Sequence, residues 1–380
     1  MKKIKSFLKR LGPGFITGAA DDDPSGIATY AQTGAFFGYS QLWTALFSTP
    51  FMIAIQEMTG RIGLVTGKGL ASAIRSHYPR SLLYFCVTLL VVTNTINIGA
   101  DLGAMASSAQ LILGLPFFFW LIFFAALTLY LEIFVFYKKY ARFLKYLTLS
   151  LLAYVLVAFV IRQDWSQIFR ATLIPSISLN KAYFLNIVAI LGTTISPYLF
   201  FWQANEEVEE EIAHHSSKSI EMMESQKKAK RTISTMRLDT AVGMIFSNVI
   251  MFFIILTTAS TLHLNGIFSV GTASDAAQAL EPLEGHFAFL LIALGIIGTG
   301  LLAVPILAGS ASYAMSEAFG WKVGLYKKFG RAHGFYGIIT IATLIGLLVN
   351  FTPIKPFQLL YYAAVLNGII SPPLLILLIL

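Results

Sequence analysis

Ten apolar runs, each long enough to cross a hydrocarbon core, follow one another along this 380-residue chain with short polar stretches between them. Roughly 20 apolar residues span a bilayer as a helix, and in lipid only a helix or a closed barrel satisfies its own backbone. The runs predict helices at 12–38, 42–66, 81–113, 115–136, 140–162, 182–213, 236–263, 286–316, 333–351 and 356–379. The expected fold class is an all-α polytopic membrane protein in the cell membrane. Residues that are 56% hydrophobic and 12% charged agree with it. The net charge of +8 does not point to nucleic acid, because the basic residues lie in short loops between spans. Placing the N-terminus in the cytoplasm puts 23 of the 27 Lys and Arg inside and leaves Arg162, Arg170, Lys181 and Lys355 outside. Both termini are then cytoplasmic. The single cysteine, Cys86, falls within a span and excludes an internal disulfide. The basic first ten residues lead into the first span without a cleavage pattern, so no signal peptide is expected.

The first span is interrupted by Asp21-Asp22-Asp23-Pro24-Ser25-Gly26. Three acids are expensive in lipid, and Pro24 with Gly26 disfavours continuous helix. A broken helix at a buried site is expected; a loop between two short helices is the alternative, although neither flank alone is long enough to span. The sixth span repeats the feature in Gly192-Thr193-Thr194-Ile195-Ser196-Pro197-Tyr198. Each break opens a set of five spans, and an odd number makes the second set start from the opposite face. That is the pattern of an inverted repeat, about 11–162 and 181–380, with a binding site where the two breaks meet. Two unrelated proline kinks are the bland alternative, and Pro305 and Pro372-Pro373 are read that way.

Asn94, Asn97 and Asp101 share one face of the third span, where they either tie helices together or line a pathway. After the sixth-span break come Gln203 and the acidic run Glu206, Glu207, Glu209, Glu210 and Glu211. The run is read as a solvated helix face, with a funnel for cations as the alternative. Asn367 in the tenth span is placed toward the central cavity. Glu57, Glu132, Asp239 and Glu317 are given no transport role.

Gly12-Pro13-Gly14-Phe15 followed by Asp23-Pro24-Ser25-Gly26 resembles the start of NRAMP-family divalent-metal transporters, whose first helix carries Asp-Pro-Gly-Asn after a Gly-Pro-Gly opening. Their sixth helix carries Met-Pro-His, where this chain reads Ser196-Pro197-Tyr198. The resemblance runs through the chain in span order, including Asp101 fifteen residues before Pro116. It implies the LeuT-type fold, two inverted repeats of five transmembrane helices with the first and sixth broken. Family members usually add a helix after the tenth. The resemblance also implies a metal site at Asp23, Asp22, Gly26, Thr193, Ser196 and Tyr198, with Asp21, Asn94, Asn97, Asp101, Gln203, Glu206 and Asn367 along the pathway. The family's asparagine is Gly26 here and its methionine is Ser196. Losing a soft thioether removes discrimination in favour of Mn²⁺, Fe²⁺ and Cd²⁺. Small Gly26 and Ser196 are expected to enlarge the cavity, which suits Mg²⁺ that keeps its water. This pattern looks like the NRAMP-related magnesium transporters, with Mn²⁺ as a second cargo.

The family's sixth-helix histidine corresponds to Tyr198, its further arginine gives way to the glutamate run, and the ninth span has no arginine. Tyrosine does not titrate near neutrality, so transport without proton coupling is expected. The expected partners are divalent cations and the lipid bilayer, with no cofactor. An amino-acid or organic-cation symporter of the same fold is the first alternative. An integral membrane enzyme is the second, and His214 and His215 lie in the loop after the sixth span, away from the acids.

Overall fold

Proline at the first position of a helix loses nothing, because that N–H has no partner in the helix anyway. Both internal prolines of the broken spans are used this way. In the computed structural model, which describes residues 12–135, 151–213, 226–272, 275–276 and 285–379, helix α1 (Pro13–Asp21) stops and α2 (Pro24–Phe37) starts at Pro24. Likewise α9 (Lys181–Thr194) stops and α10 (Pro197–Ala213) starts at Pro197. Between them come α3 (Trp43–Thr66), α4 (Leu70–His77), α5 (Arg80–Leu113), α6 (Phe117–Phe134), α7 (Leu152–Val160) and α8 (Trp165–Leu173). Then follow α11 (Gln226–Thr261), α12 (Gly285–Phe319), α13 (His333–Val349) and α14 (Pro356–Ile379). Among the described residues six segments are long and apolar enough to cross a membrane, and α13 is a shorter apolar helix.

The predicted spans coincide with these helices within a few residues, except that α11 starts ten residues before its predicted span, at Gln226. Its added turns are polar and basic, so hydropathy does not count them. The first half of the fifth predicted span, the basic N-terminal residues and His214 and His215 lie outside the described residues. Two short amphipathic helices were not predicted. Helix α4 buries Leu70, Ala71 and Ile74, and α8 buries Ile168 while its Trp165, Phe169 and Leu173 stay exposed.

The broken helices sit inside the bundle. Helix α11 packs along both α1 and α2, α12 packs along α5, α10 lies on α3, and α9 on α14. Two of these contacts demand glycine. A Cβ on Gly18 would stand 2.3 Å from the Gly243 backbone of α11, and one on Gly192 would stand 1.9 Å from the Ala364 carbonyl of α14. Backbones approach this closely in membranes because packing, rather than expulsion from water, holds helices together. At one end of the bundle Asn186 of α9 donates to Thr33 Oγ1 at 2.8 Å and to Gln41 Oε1 at 2.6 Å, fastening the two broken spans to each other.

Candidate metal site at the paired helix breaks

Asp23 is the N-cap of α2. Its Oδ1 accepts from the Gly26 N–H at 2.7 Å and from the Ser25 hydroxyl at 2.6 Å, while Oδ2 accepts from Asn97 Nδ2 of α5 at 3.1 Å. An acid before a proline, with amides exposed beyond it, is the ordinary chemistry of a helix start. Asp21 and Asp22 lie on the other side of the gap, at the C-terminal end of α1, and both turn to Ser247 of α11. The Ser247 hydroxyl is 2.6 Å from Asp21 Oδ2 and 3.1 Å from Asp22 Oδ1. One hydroxyl has one proton to give, so two carboxylates share a single donor. Asp21 Oδ1 and Asp22 Oδ2 have no hydrogen-bond partner.

All three acids are sealed, at 0%, 0% and 1% exposure. Among the residues whose burial is described no lysine or arginine is buried, and exposed Arg61 and Arg237 pair with Glu57, away from the breaks. Three carboxylates thus lie without a protein cation beside the C-terminal ends of α1 and α9, where helix dipoles add negative charge. Burying unpaired charge costs several kcal/mol, which is the electrostatic signature of a place for a cation. The acids nevertheless do not converge as one ligand set, since among the described residues no group of three Asp, Glu, His or Cys side chains is arranged to hold a metal.

The other residues singled out from the sequence divide between the gap and its supports. Tyr198, the second residue of α10, donates its hydroxyl to the Ala20 carbonyl of α1 at 3.3 Å and so joins the two breaks. Thr193 and Ser196 are buried at the α9 end, but their hydroxyls turn back on their own helix. Thr193 donates to Ile190 O, and Ser196 to Gly192 O at 2.5 Å and Thr193 O at 2.8 Å. The space expected beside Gly26 is already taken, because a Cβ there would lie 3.2 Å from Asp21 O and 3.3 Å from the Tyr30 ring. At Gly26, therefore, the small residue does not enlarge a cavity; backbone and an aromatic ring fill the room.

Asn94 donates to Leu307 O of α12 at 2.9 Å and ties two helices, whereas Asn97 reaches Asp23. Asp101, one helical turn further, is buried with no donor to either oxygen. Asn367 is buried in α14, whose Ser371 hydroxyl donates to the Ile195 carbonyl at the α9 end at 2.6 Å. Gln203 is buried and donates to Glu207 at 2.9 Å. The acidic run is not a solvated face: Glu206, Glu207 and Glu209 are 4%, 5% and 9% exposed. Glu209 receives the Tyr313 hydroxyl and the Leu325 N–H, partners that no reading of the run itself reveals. Asp239 accepts from Gly12 N at 2.9 Å and Gly14 N at 2.8 Å, capping α1, and Glu317 accepts from Ser72 N at 2.9 Å at the start of α4. Ser247 and Tyr30 were missed. The polar pair Ser247-Asn248 within an apolar span was the available signal for the first.

The model of the Nramp family, described as natural resistance-associated macrophage protein-like, matches residues 14–380. The chain belongs to the Nramp family. Among Nramp relatives, the divalent metal cation transporter MntH of Klebsiella pneumoniae is 28% identical over 311 residues, 80% of this chain and 70% of that protein. MntH of Yersinia enterocolitica is likewise 28% identical, over 80% of this chain and 71% of its own. Among solved structures, the manganese transporter of Eremococcus coleocola superposes with a TM-score of 0.76 at 16% identity, covering 98% of this chain and 79% of that one. The nucleobase-cation symporter Mhp1 superposes with a TM-score of 0.62 at 14% identity, over 95% and 77%. The Nramp chain therefore has the LeuT-type fold that the family resemblance implied. Membership of a transporter family also displaces the reading as a membrane enzyme.

Proposed function

We propose that this Nramp-family protein carries divalent cations across the cell membrane, Mg²⁺ foremost with Mn²⁺ as a second cargo, by alternating access of repeats 11–162 and 181–380 and without proton coupling. The observation that carries the proposal is the sealed group of three acids at the helix breaks, buried with no lysine or arginine buried beside them. The groups at the break able to bind a cation are oxygens: carboxylates, the Ser25 and Ser247 hydroxyls and the carbonyls at two helix ends, with the Asn97 amide nitrogen donating to Asp23. Hard oxygen suits Mg²⁺ and gives no preference to softer metals. The relatives named as divalent metal cation transporters support a divalent cargo. Tyr198 bonds a backbone carbonyl where the family's histidine would stand, which supports uncoupled movement driven by the ion's own gradient and the membrane potential. For a divalent ion that potential supplies about 4.6 kcal/mol per 100 mV. The cytoplasmic placement of both termini follows from the distribution of Lys and Arg.

The test is Mg²⁺ uptake into proteoliposomes, with lumenal pH read in parallel. Uptake without acidification is expected. Uptake that acidifies the lumen would transfer a proton role to Asp101 and end the uncoupled reading. No uptake of Mg²⁺ with retained uptake of Mn²⁺ would end the magnesium reading.

A further inference from the structure

Away from the breaks, at the end of the bundle where the loops carry most of the Lys and Arg, a cavity of about 300 Å³ opens between the end of α6 and the segment joining α12 to α13. Glu132, Phe134, Lys327, Lys328, Phe329 and Tyr336 form its working wall. Glu132 is 5% exposed, and neither carboxylate oxygen has a hydrogen-bond donor. It sits in the last turn of α6, where the helix dipole already adds negative charge, so a cation reaching it from the cavity is strongly favoured. The two lysines do not fill that role. Lys327 Nζ lies 5.0 Å over the Tyr326 ring, and Lys328 is exposed. The segment that carries them is held in place, since the Tyr336 hydroxyl donates to Lys327 O at 2.7 Å. Phe134 and Phe329, 71% and 46% exposed, give the cavity an apolar rim on an outer surface rich in exposed aromatic and aliphatic side chains.

A ligand for this wall needs one hydrogen-bonding cation for Glu132, one anion for Lys327 and Lys328, and an apolar tail for the rim. A metal ion would satisfy the acid and meet repulsion from the lysines. A free phosphate would satisfy the lysines and leave the acid bare. We propose that the cavity binds an aminophospholipid, its primary ammonium on Glu132, its phosphate on Lys327 and Lys328, and its acyl chains along Phe134 and Phe329. A choline headgroup carries no N–H and cannot donate to the carboxylate, so the site distinguishes phosphatidylethanolamine from phosphatidylcholine.

The test uses the purified full-length protein, its thermal unfolding followed with added phosphatidylethanolamine, phosphatidylcholine or phosphatidylglycerol, and retained lipid read by native mass spectrometry. Phosphatidylethanolamine should raise the unfolding midpoint above the value in either other lipid and should be the lipid retained. Glu132→Gln should abolish that advantage while raising stability in phosphatidylcholine, because an unpartnered buried charge is gone. Lys327→Ala with Lys328→Ala should reduce retention of phosphatidylethanolamine. Equal shifts with phosphatidylethanolamine and phosphatidylcholine, or an advantage that survives Glu132→Gln, would overturn the proposal. An equal shift with phosphatidylglycerol would reduce the site to lysines and an anion. Loss of stability in every lipid on removing the lysines would show an internal Lys–Glu pair instead. Should Glu132→Gln not fold, competition on the wild type between phosphatidylethanolamine and its successively N-methylated forms decides, with retention expected to drop at the trimethylated headgroup.

Discussion

Asp23 caps a helix and is also the first proposed metal ligand, and the two roles can be separated. Its carboxylate caps α2 through the Gly26 amide and faces Asn97 across the gap. Asp23→Asn keeps an oxygen for the cap and removes the charge, so uptake should vanish while the folded yield stays near wild type; normal uptake would remove Asp23 from the site. Asp21, assigned to the pathway rather than to the metal site, shares Ser247 with Asp22 and is equally buried. Ser247→Ala should therefore raise the apparent KM for the metal about tenfold, the worth of one hydrogen bond to a charged group, with kcat little changed. An unchanged KM would make Ser247 a bystander. The softness argument also sharpens at this scale. Ser196→Met should raise the ratio of Cd²⁺ to Mg²⁺ uptake by about tenfold. Gly26→Asn should lower uptake of all three of Mg²⁺, Mn²⁺ and Cd²⁺, because its Cβ meets Asp21 O and Tyr30. A flat ratio for Ser196→Met would remove the chemical support for magnesium.

Helices α1 and α10 are the elements that would have to move if the breaks alternate between two openings. Helix α1 is held by the Asp239 carboxylate at Gly12 and Gly14 and by the Gly18 and Gly243 contact along α11. Asp239→Ala should loosen that end. In a Cys86→Ala background, Ser196→Cys should then react faster with an impermeant thiol reagent applied from the α1 side, and an unchanged rate would show that the cap does not hold the closed state. Most of this architecture was legible in advance. Spans follow from hydropathy because lipid imposes one rule on every backbone group, and Asp23-Pro24 reads as a helix start because both residues belong at that place. What escaped was tertiary. The burial of Glu206, Glu207 and Glu209 depends on Tyr313, Leu325 and the packing of α10 on α3 and α12, and Asp239 finds α1 across more than 200 residues of chain. Helices α4 and α8 are too short and too polar to register as spans, although Asp164, whose carboxylate accepts from Ser166 N and Gln167 N, marks the start of the second.

At the scale of the molecule, the two breaks are joined by Tyr198 on one side and by Asn186, Thr33 and Gln41 on the other. An imposed potential, negative inside proteoliposomes, should accelerate Mg²⁺ uptake and an imposed pH gradient should not; the reverse result would restore proton coupling. The near-zero exposure of Asp21, Asp22 and Asp23 has a kinetic consequence of its own. A site shut to both solutions would not pass ions in file. Under the proposed alternating access each opening would admit a load, and the next would wait for the bundle to close, swing and reopen. Flux should then saturate with metal concentration at a ceiling set by the protein's own cycle, and a single molecule in a planar bilayer should give no step-like unitary current however steep the gradient across it.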